Sequence, residues 1–221
     1  MSATIPIAER LRIIEVYPSI QGESTWAGLP CVFVRLAGCN LRCTWCDSEF
    51  TFKGGEHRRI SDVVQEACSH EIDVVEVTGG EPLAHRQAIP LMEQLLARGK
   101  TVLLETSGSL DISVVPQGVH IIMDLKCPDS GEEQSNLWSN LDHLNETSEI
   151  KFVIASQKDY EWAKSVCRKH ELSERFEVLF SPVHGNIDPS HMVDWILADR
   201  LKVRLQIQMH KVIWPPEARG V

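Results

Sequence analysis

Seven short runs dominated by β-branched and other apolar residues recur along the chain: CVFVRLAG (31–38), DVVEVTGG (73–80), KTVLLETSG (100–108), HIIMDLK (120–126), EIKFVIA (149–155), FEVLFSP (176–182) and VRLQIQMH (203–210). Most are followed by stretches with helical spacing. Ser61 reads as the N-cap of a helix through Cys68, and Ile89, Met92, Leu95 and Leu96 form a stripe that stops at Gly99. Asp159 to Lys169 and Pro189 to Asp199 read as two more helices, and the polar segment PDSGEEQSN (128–136) as an exposed loop. Repeated βα units predict a parallel sheet with helices outside it. In such an arrangement the loops at the C-terminal ends of the strands surround one mouth, where Gly38, Gly79 to Pro82, Glu105 to Gly108, Lys126 and Ser181 would converge. A closed eight-stranded barrel takes about 250 residues, so 221 residues predict an incomplete TIM-like barrel of about six parallel strands, formed as a single domain over 1–221.

Composition narrows the class. The chain is 43% hydrophobic yet has no apolar run long enough to cross a bilayer. Its first residues, MSATIPIAERLRIIEVYPS, lack the features of a secretory leader, so the cytoplasm is the expected compartment. A net charge of -9 argues against direct binding to nucleic acid, while leaving room for an anionic small substrate with its own Arg or Lys. Of the seven cysteines, three gather in GCNLRCTWCDS as Cys39, Cys43 and Cys46. Under reducing conditions such a group signals metal or catalysis more than disulfides. Cys31, Cys68 and Cys167 fall inside predicted strands or helices and read as small buried hydrophobes.

A structural zinc site closes with four ligands, usually as two separated pairs, and no second pair follows here. Three closely spaced thiolates instead suit a [4Fe-4S] cluster that leaves one iron without a protein ligand. C-x3-C-x2-C with Trp45 before the last cysteine resembles the radical S-adenosylmethionine (SAM) superfamily, and VTGGEP (77–82) resembles its GGE motif. Taken alone, Gly79-Gly80 could be a turn with a helix cap; one β-run downstream of the cysteines, that reading becomes the minor one.

Further segments narrow the likeness: PSIQGESTWAGLPCVFVRLAGCNLRCTWCDSEFTF, LETSG, DLKCP and QIQMHKVIWPPEARGV. Together they cover nearly the whole chain and resemble the 7-carboxy-7-deazaguanine synthases. The resemblance implies a lyase that converts 6-carboxy-5,6,7,8-tetrahydropterin to 7-carboxy-7-deazaguanine by hydrogen abstraction at C6, ring contraction and loss of ammonia. SAM would be regenerated, Mg2+ would assist, and the product would feed 7-deazapurine and queuosine synthesis. A homodimer and an electron donor such as flavodoxin are implied as well.

The same resemblance assigns roles. Ile20, Gln21, Gly22, Arg35 and Thr78 would meet the pterin, with Arg35 as a forked clamp on its carboxylate, although a structural ion pair would explain Arg35 too. Ser48 would hold Mg2+. Trp45, Cys46, Asp47, Gly80, Asp124, Leu125, Lys126 and Ser181 would contact SAM, with Glu23, Glu81, Thr106, Ser107, His184 and His210 as further candidates. The family often has Ser-Pro-Lys where this chain has Asp124-Leu125-Lys126, and Cys127 reads as an extra thiol beside the pocket. Two other readings compete: a glycyl-radical-enzyme activase of the same superfamily, and a zinc-stabilised binding module without catalysis.

Overall fold

The computed structural model describes residues 9–221; the first eight, on which part of the leader reading rests, lie outside it. The order of elements is β1 (Arg10–Ile20), β2 (Pro30–Leu36), β3 (Glu56–Arg59), α1 (Ile60–Ser69), β4 (Val74–Gly79), α2 (Ala88–Ala97), β5 (Thr101–Thr106) and β6 (Val119–Asp124). There follow β7 (Glu149–Ile154), α3 (Gln157–Lys169), α4 (Leu172–Arg175), β8 (Glu177–Pro182), α5 (Pro189–Asp199), β9 (Arg204–Leu205) and α6 (His210–Ile213). One sheet runs β3-β1-β2-β4-β5-β6-β7-β8-β9. From β2 to β9 every neighbour is parallel, whereas β1 is antiparallel to both β2 and β3. The two edges, β3 and β9, do not pair with each other, so the barrel stays open.

Side chains alternate across the strands with period two. Val32, Val34, Val75, Val77, Val102, Leu104, Ile121, Met123, Ile150, Phe152 and Phe180 face the helices, where Val63, Leu91, Leu95, Tyr160 and Ala163 complete the main core. The other face is concave, with a small apolar floor of Cys31, Phe33, Val74, Leu103 and Ile122 under Tyr17 and Trp26. In β1 the pairing register shifts between Ile13 and Glu15. This bulge moves the inward parity, so Leu11 and Ile13 join the main core while Glu15 and Tyr17 line the concave side.

Four local expectations change. Ser61 is not the cap of α1: β3 runs straight into the helix, Arg59 occupies the cap position in extended backbone, and the Ser61 hydroxyl donates to Asp62 instead. Residues 128–136 are not an open loop but hold two 3-10 turns, with Ser130 and Asn136 buried. Asn136 accepts from the Lys126 amide and donates to its carbonyl, which fixes the exit from β6. The run 203–210 yields only a two-residue strand, its end turning into α6. Cys127 is buried in the main core rather than beside a pocket. No helix among the described residues is long and apolar enough to cross a membrane.

Phe152 is fully buried and meets Phe180 and Trp162 edge to face, at centroid distances of 5.5 and 6.1 Å. Phe152→Ala should lower the unfolding free energy by about 3–5 kcal/mol. Urea denaturation measures it; a loss near zero would mean this aromatic cluster does not support the sheet.

Candidate active site

The concave face holds a cavity of about 460 Å³. Its walls combine strand residues with the loop 21–29 between β1 and β2, the cysteine loop after β2, the turns after β4 and β5, the loop after β8 and the segment from Gln208 to Val221. Loop 21–29 reaches across the open side of the barrel. Gln21 donates to Glu76, Thr25 donates from its amide to Glu149 at 3.0 Å, and the Ser24 amide donates to Gln206 at 2.8 Å. Gly22 is required there, because a Cβ would lie 2.4 Å from His210 Nδ1.

Cys39, Cys43 and Cys46 are half-buried on one wall. The Leu41 amide donates to Cys39 Sγ at 3.4 Å. Burial raises the pKa of each thiol, and the Lys126 ammonium works against that. Three half-buried thiols on one loop, opening on one cavity, are a donor set that fits an iron–sulfur cluster.

The glycine turn after β4 is pressed against the cysteine loop. A Cβ on Gly80 would lie 2.1 Å from the Gly38 carbonyl oxygen and 2.8 Å from Cys39 Cβ, while the Glu81 amide donates to Gly38 at 2.9 Å. Glu81 itself points away from the cavity and is fully buried. Its carboxylate accepts from the Leu83 and Ser107 amides and from the hydroxyls of Thr106 and Ser107, tying the turns after β4 and β5 together.

Charged side chains interrupt the apolar strands on the inward face. Lys151 pairs with Glu105 and, at 2.8 Å, with Glu23. Burial would lower Lys151, but the two carboxylates hold it well above its ordinary range. Burial would raise Glu23, and Lys151 overrides this to hold it low. Glu76 has no cation of its own: burial first, then Glu105 and Glu23, push it well above the carboxylate range. Beside the cysteines, Lys126 donates to Asp124 Oδ2 at 2.8 Å, and the buried Asp124 Oδ1 has no hydrogen-bond partner among the described residues. Asp47 accepts from Lys211 at 2.8 Å and from Ser48 and Gln208. Desolvation would raise its carboxyl, but Lys211 dominates and holds it well below the usual range.

At the other end, Arg35 Nε donates to Glu15 at 2.8 Å and Nη2 to Tyr17 at 2.9 Å. Nη1 makes no hydrogen bond among the described residues. Arg35 is thus a structural ion pair that still presents part of its fork to the cavity.

Of the residues singled out in the sequence, Ile20, Gln21, Gly22, Glu23, Arg35, the three cysteines, Trp45, Asp47, Ser48, Thr78 and Gly80 line this one cavity. Thr106, Ser107, Asp124, Lys126, His184 and His210 line it too. Glu81, Leu125 and Ser181 do not reach its wall; Leu125 is buried in the main core. Sequence reasoning missed Glu15, Tyr17, Phe50, Glu76, Lys151 and Gln208. A signal existed for two of them, because Glu76 and Lys151 are charges inside otherwise apolar strands, where an unpaired charge is not tolerated.

The sequence model of the Radical SAM superfamily matches residues 34–179. A protein of Koribacter versatilis named 7-carboxy-7-deazaguanine synthase is 46% identical over 96% of this chain and 100% of its own length. One of the same name from Chlorobaculum tepidum is 44% identical over 96% of this chain and 97% of its own. The crystal structure of QueE from Escherichia coli superposes with a TM-score of 0.76 at 23% identity, covering 91% of this chain and 95% of that one.

The isolated carboxyl of Glu76 has a consequence for stability. Its folded pKa lies above its unfolded value, so the native state binds the extra proton. Its contribution is fully present below the ordinary Glu pKa of about 4.3 and declines as pH rises above it. Glu76→Gln, which keeps an acceptor and a donor without the charge, should raise the melting temperature at pH 8 and change it little at pH 4.5. Melting curves across pH read this out; an equal shift at both values would show that Glu76 does not carry the buried charge cost.

Proposed function

The chain belongs to the radical SAM superfamily and, within it, to the 7-carboxy-7-deazaguanine synthases, and from that membership we propose how its cavity is used. It converts 6-carboxy-5,6,7,8-tetrahydropterin to 7-carboxy-7-deazaguanine with loss of ammonia. What carries this reading is that three half-buried thiols, a buried carboxylate wall and a partly free guanidinium open on the same cavity.

Cys39, Cys43 and Cys46 are the residues that would hold a [4Fe-4S] cluster, with SAM bound beside it. When bound, the cluster and SAM supply the 5'-deoxyadenosyl radical that abstracts hydrogen from the substrate. Gly80, which lines the cavity, lets the turn after β4 press against the cysteine loop, where a Cβ would strike the Gly38 carbonyl, and so borders the SAM side. Trp45, Cys46, Asp47 and Lys126 line the SAM side, and Asp124 Oδ1 is a ready acceptor for a ribose hydroxyl. Leu125, Ser181 and Glu81 act from behind the wall, as packing and anchoring groups.

The pterin lies toward Ile20, Gln21, Gly22 and Thr78, with its carboxylate at Arg35. Its ring N–H groups find acceptors in the carboxylates of Glu23 and Glu105, with the Glu76 carboxyl, held well above the carboxylate range, beside them. Thr106, Ser107, His184 and His210 border this volume and exclude water from it. The Ser48 hydroxyl, on the cavity wall beside the cysteines, would hold Mg2+, a hard ion next to the soft thiolate site. An electron donor such as flavodoxin delivers the electron. The whole is one domain that works as a homodimer in the cytoplasm; exposed Leu205, Ile207, Val212 and Ile213 near the β9 edge support association, and seven free thiols suit a reducing compartment.

The test is anaerobic reconstitution with iron and sulfide, followed by incubation with SAM, reductant, Mg2+ and the carboxypterin, with the deazaguanine detected by mass. Cys43→Ala should lose the cluster absorbance and the product, and the buried Cys31→Ala should keep both. A colourless protein holding stoichiometric zinc would remove the enzymatic reading.

Magnesium is tested separately. Ser48→Ala should keep the cluster spectrum yet lower turnover and flatten its response to added Mg2+, and Ser48→Thr should retain most activity. If Ser48→Ala kept the parent's Mg2+ titration curve, the ion would sit elsewhere.

A further inference from the structure

The last eight residues fold back over the cavity: a turn closes from the Ala218 amide to the Pro215 carbonyl at 2.9 Å, and Pro216, Ala218 and Arg219 reach the wall. The Arg219 guanidinium carbon sits 4.2 Å from the centroid of the Phe50 ring. Arg35 approaches the same ring, at 5.8 Å. One aromatic side chain, in the short turn that follows the cysteine loop, therefore gathers two cations at one end of the cavity.

These cations are not evenly compensated. Arg35 is paired with Glu15 at 2.8 Å, whereas Arg219 has no ion pair among the described residues. The carboxylates Glu23 and Glu105 are engaged by Lys151, and Glu76 by Gln21. Of the two cations that share the Phe50 ring, Arg219 is thus the one without a carboxylate partner among the described residues.

We propose that Arg219 is a specificity-determining residue: seated on Phe50 beside Arg35, it supplies a second positive charge for the substrate's carboxylate and so orients the ring toward the acidic wall. This rests on reading the cavity as a carboxypterin site. Arg35 gives its Nε to Glu15 and one Nη2 hydrogen to Tyr17, which leaves only the Nη1–Nη2 edge of its fork for a ligand. A carboxylate held there keeps lone pairs for a further donor, and Arg219 is the other cation on the same ring. The docking on Phe50 orders an otherwise exposed side chain before substrate arrives.

The experiment is anaerobic equilibrium dialysis of the reconstituted protein, without reductant, against 6-carboxy-5,6,7,8-tetrahydropterin and against tetrahydropterin lacking the carboxylate. The parent should prefer the carboxylated compound. Arg219→Ala should reduce that preference by about fivefold, the upper end for a solvent-exposed ion pair, with affinity for the uncarboxylated pterin unchanged. Arg219→Lys, which keeps the charge, should recover part of the loss. Arg219→Ala binding with the parent's full preference would overturn the proposal, as would an equal loss of affinity for both pterins, which marks packing. A parent that shows no preference for the carboxylate would overturn the reading of the cavity itself, and the role of Arg219 with it.

Discussion

The buried ammonium of Lys151 is the interaction on which the concave face depends. An open barrel lacks the strands that would fill its gap, and here loop 21–29 fills it. Polar contacts fasten that loop: Glu23 reaches Lys151, Gln21 reaches Glu76, and Thr25 reaches Glu149. Buried ion pairs contribute little net stability because desolvation offsets their attraction. They do restrict geometry strongly, since a loop displaced by a few ångströms would leave Lys151, Glu23 and Glu105 charged and unpaired in the interior. The same groups that close the fold also form the acceptor wall of the cavity. Fold and site share their side chains.

A second constraint is steric. Gly79 and Gly80 pass so close to Leu36 and Gly38 that neither could carry a Cβ without moving backbone. Glu81, turned inward, fixes this passage through four hydrogen bonds, so the third letter of the GGE motif serves the shape of the turn in this chain. The cysteine loop is held from beneath by that turn and from the side by Thr44, whose amide and hydroxyl donate to Ser130. Residues 128–136 are therefore part of the support for the cysteines.

Much of this was legible in the sequence. The seven apolar runs, the helices on α2, α3 and α5 and the convergence of strand ends all follow from periodicity and from a few caps. β1 was not legible. Its bulge changes the inward parity between Ile13 and Glu15, and with Arg12, Glu15 and Pro18 in the run no single alternation describes it. Looking for chemistry where strands end found Gly80, Thr106, Ser107 and Lys126, and the family resemblance added Thr78 and Asp124. It passed over Glu76 and Lys151, which lie mid-strand and are acceptable only because each meets partners from distant segments. Local cap rules failed at Ser61 for a related reason: β3 leads directly into α1, and the chain there has no separate turn for a serine to cap.

The span of the cavity wall, from Glu15 to Val221, bears on how the molecule comes into being. Asp47 meets Lys211 across 164 residues, and Gln208 meets Glu23 across 185. A ribosome releases the cysteine loop early, while the groups that fasten its outer side are still unmade. Contacts of such long separation form late and slowly, after the chain's loop-closure entropy has been overcome. The outer side of the cavity is thus closed only when segments more than 160 residues apart have met, so the cysteine loop gains its enclosure later than its own local turns.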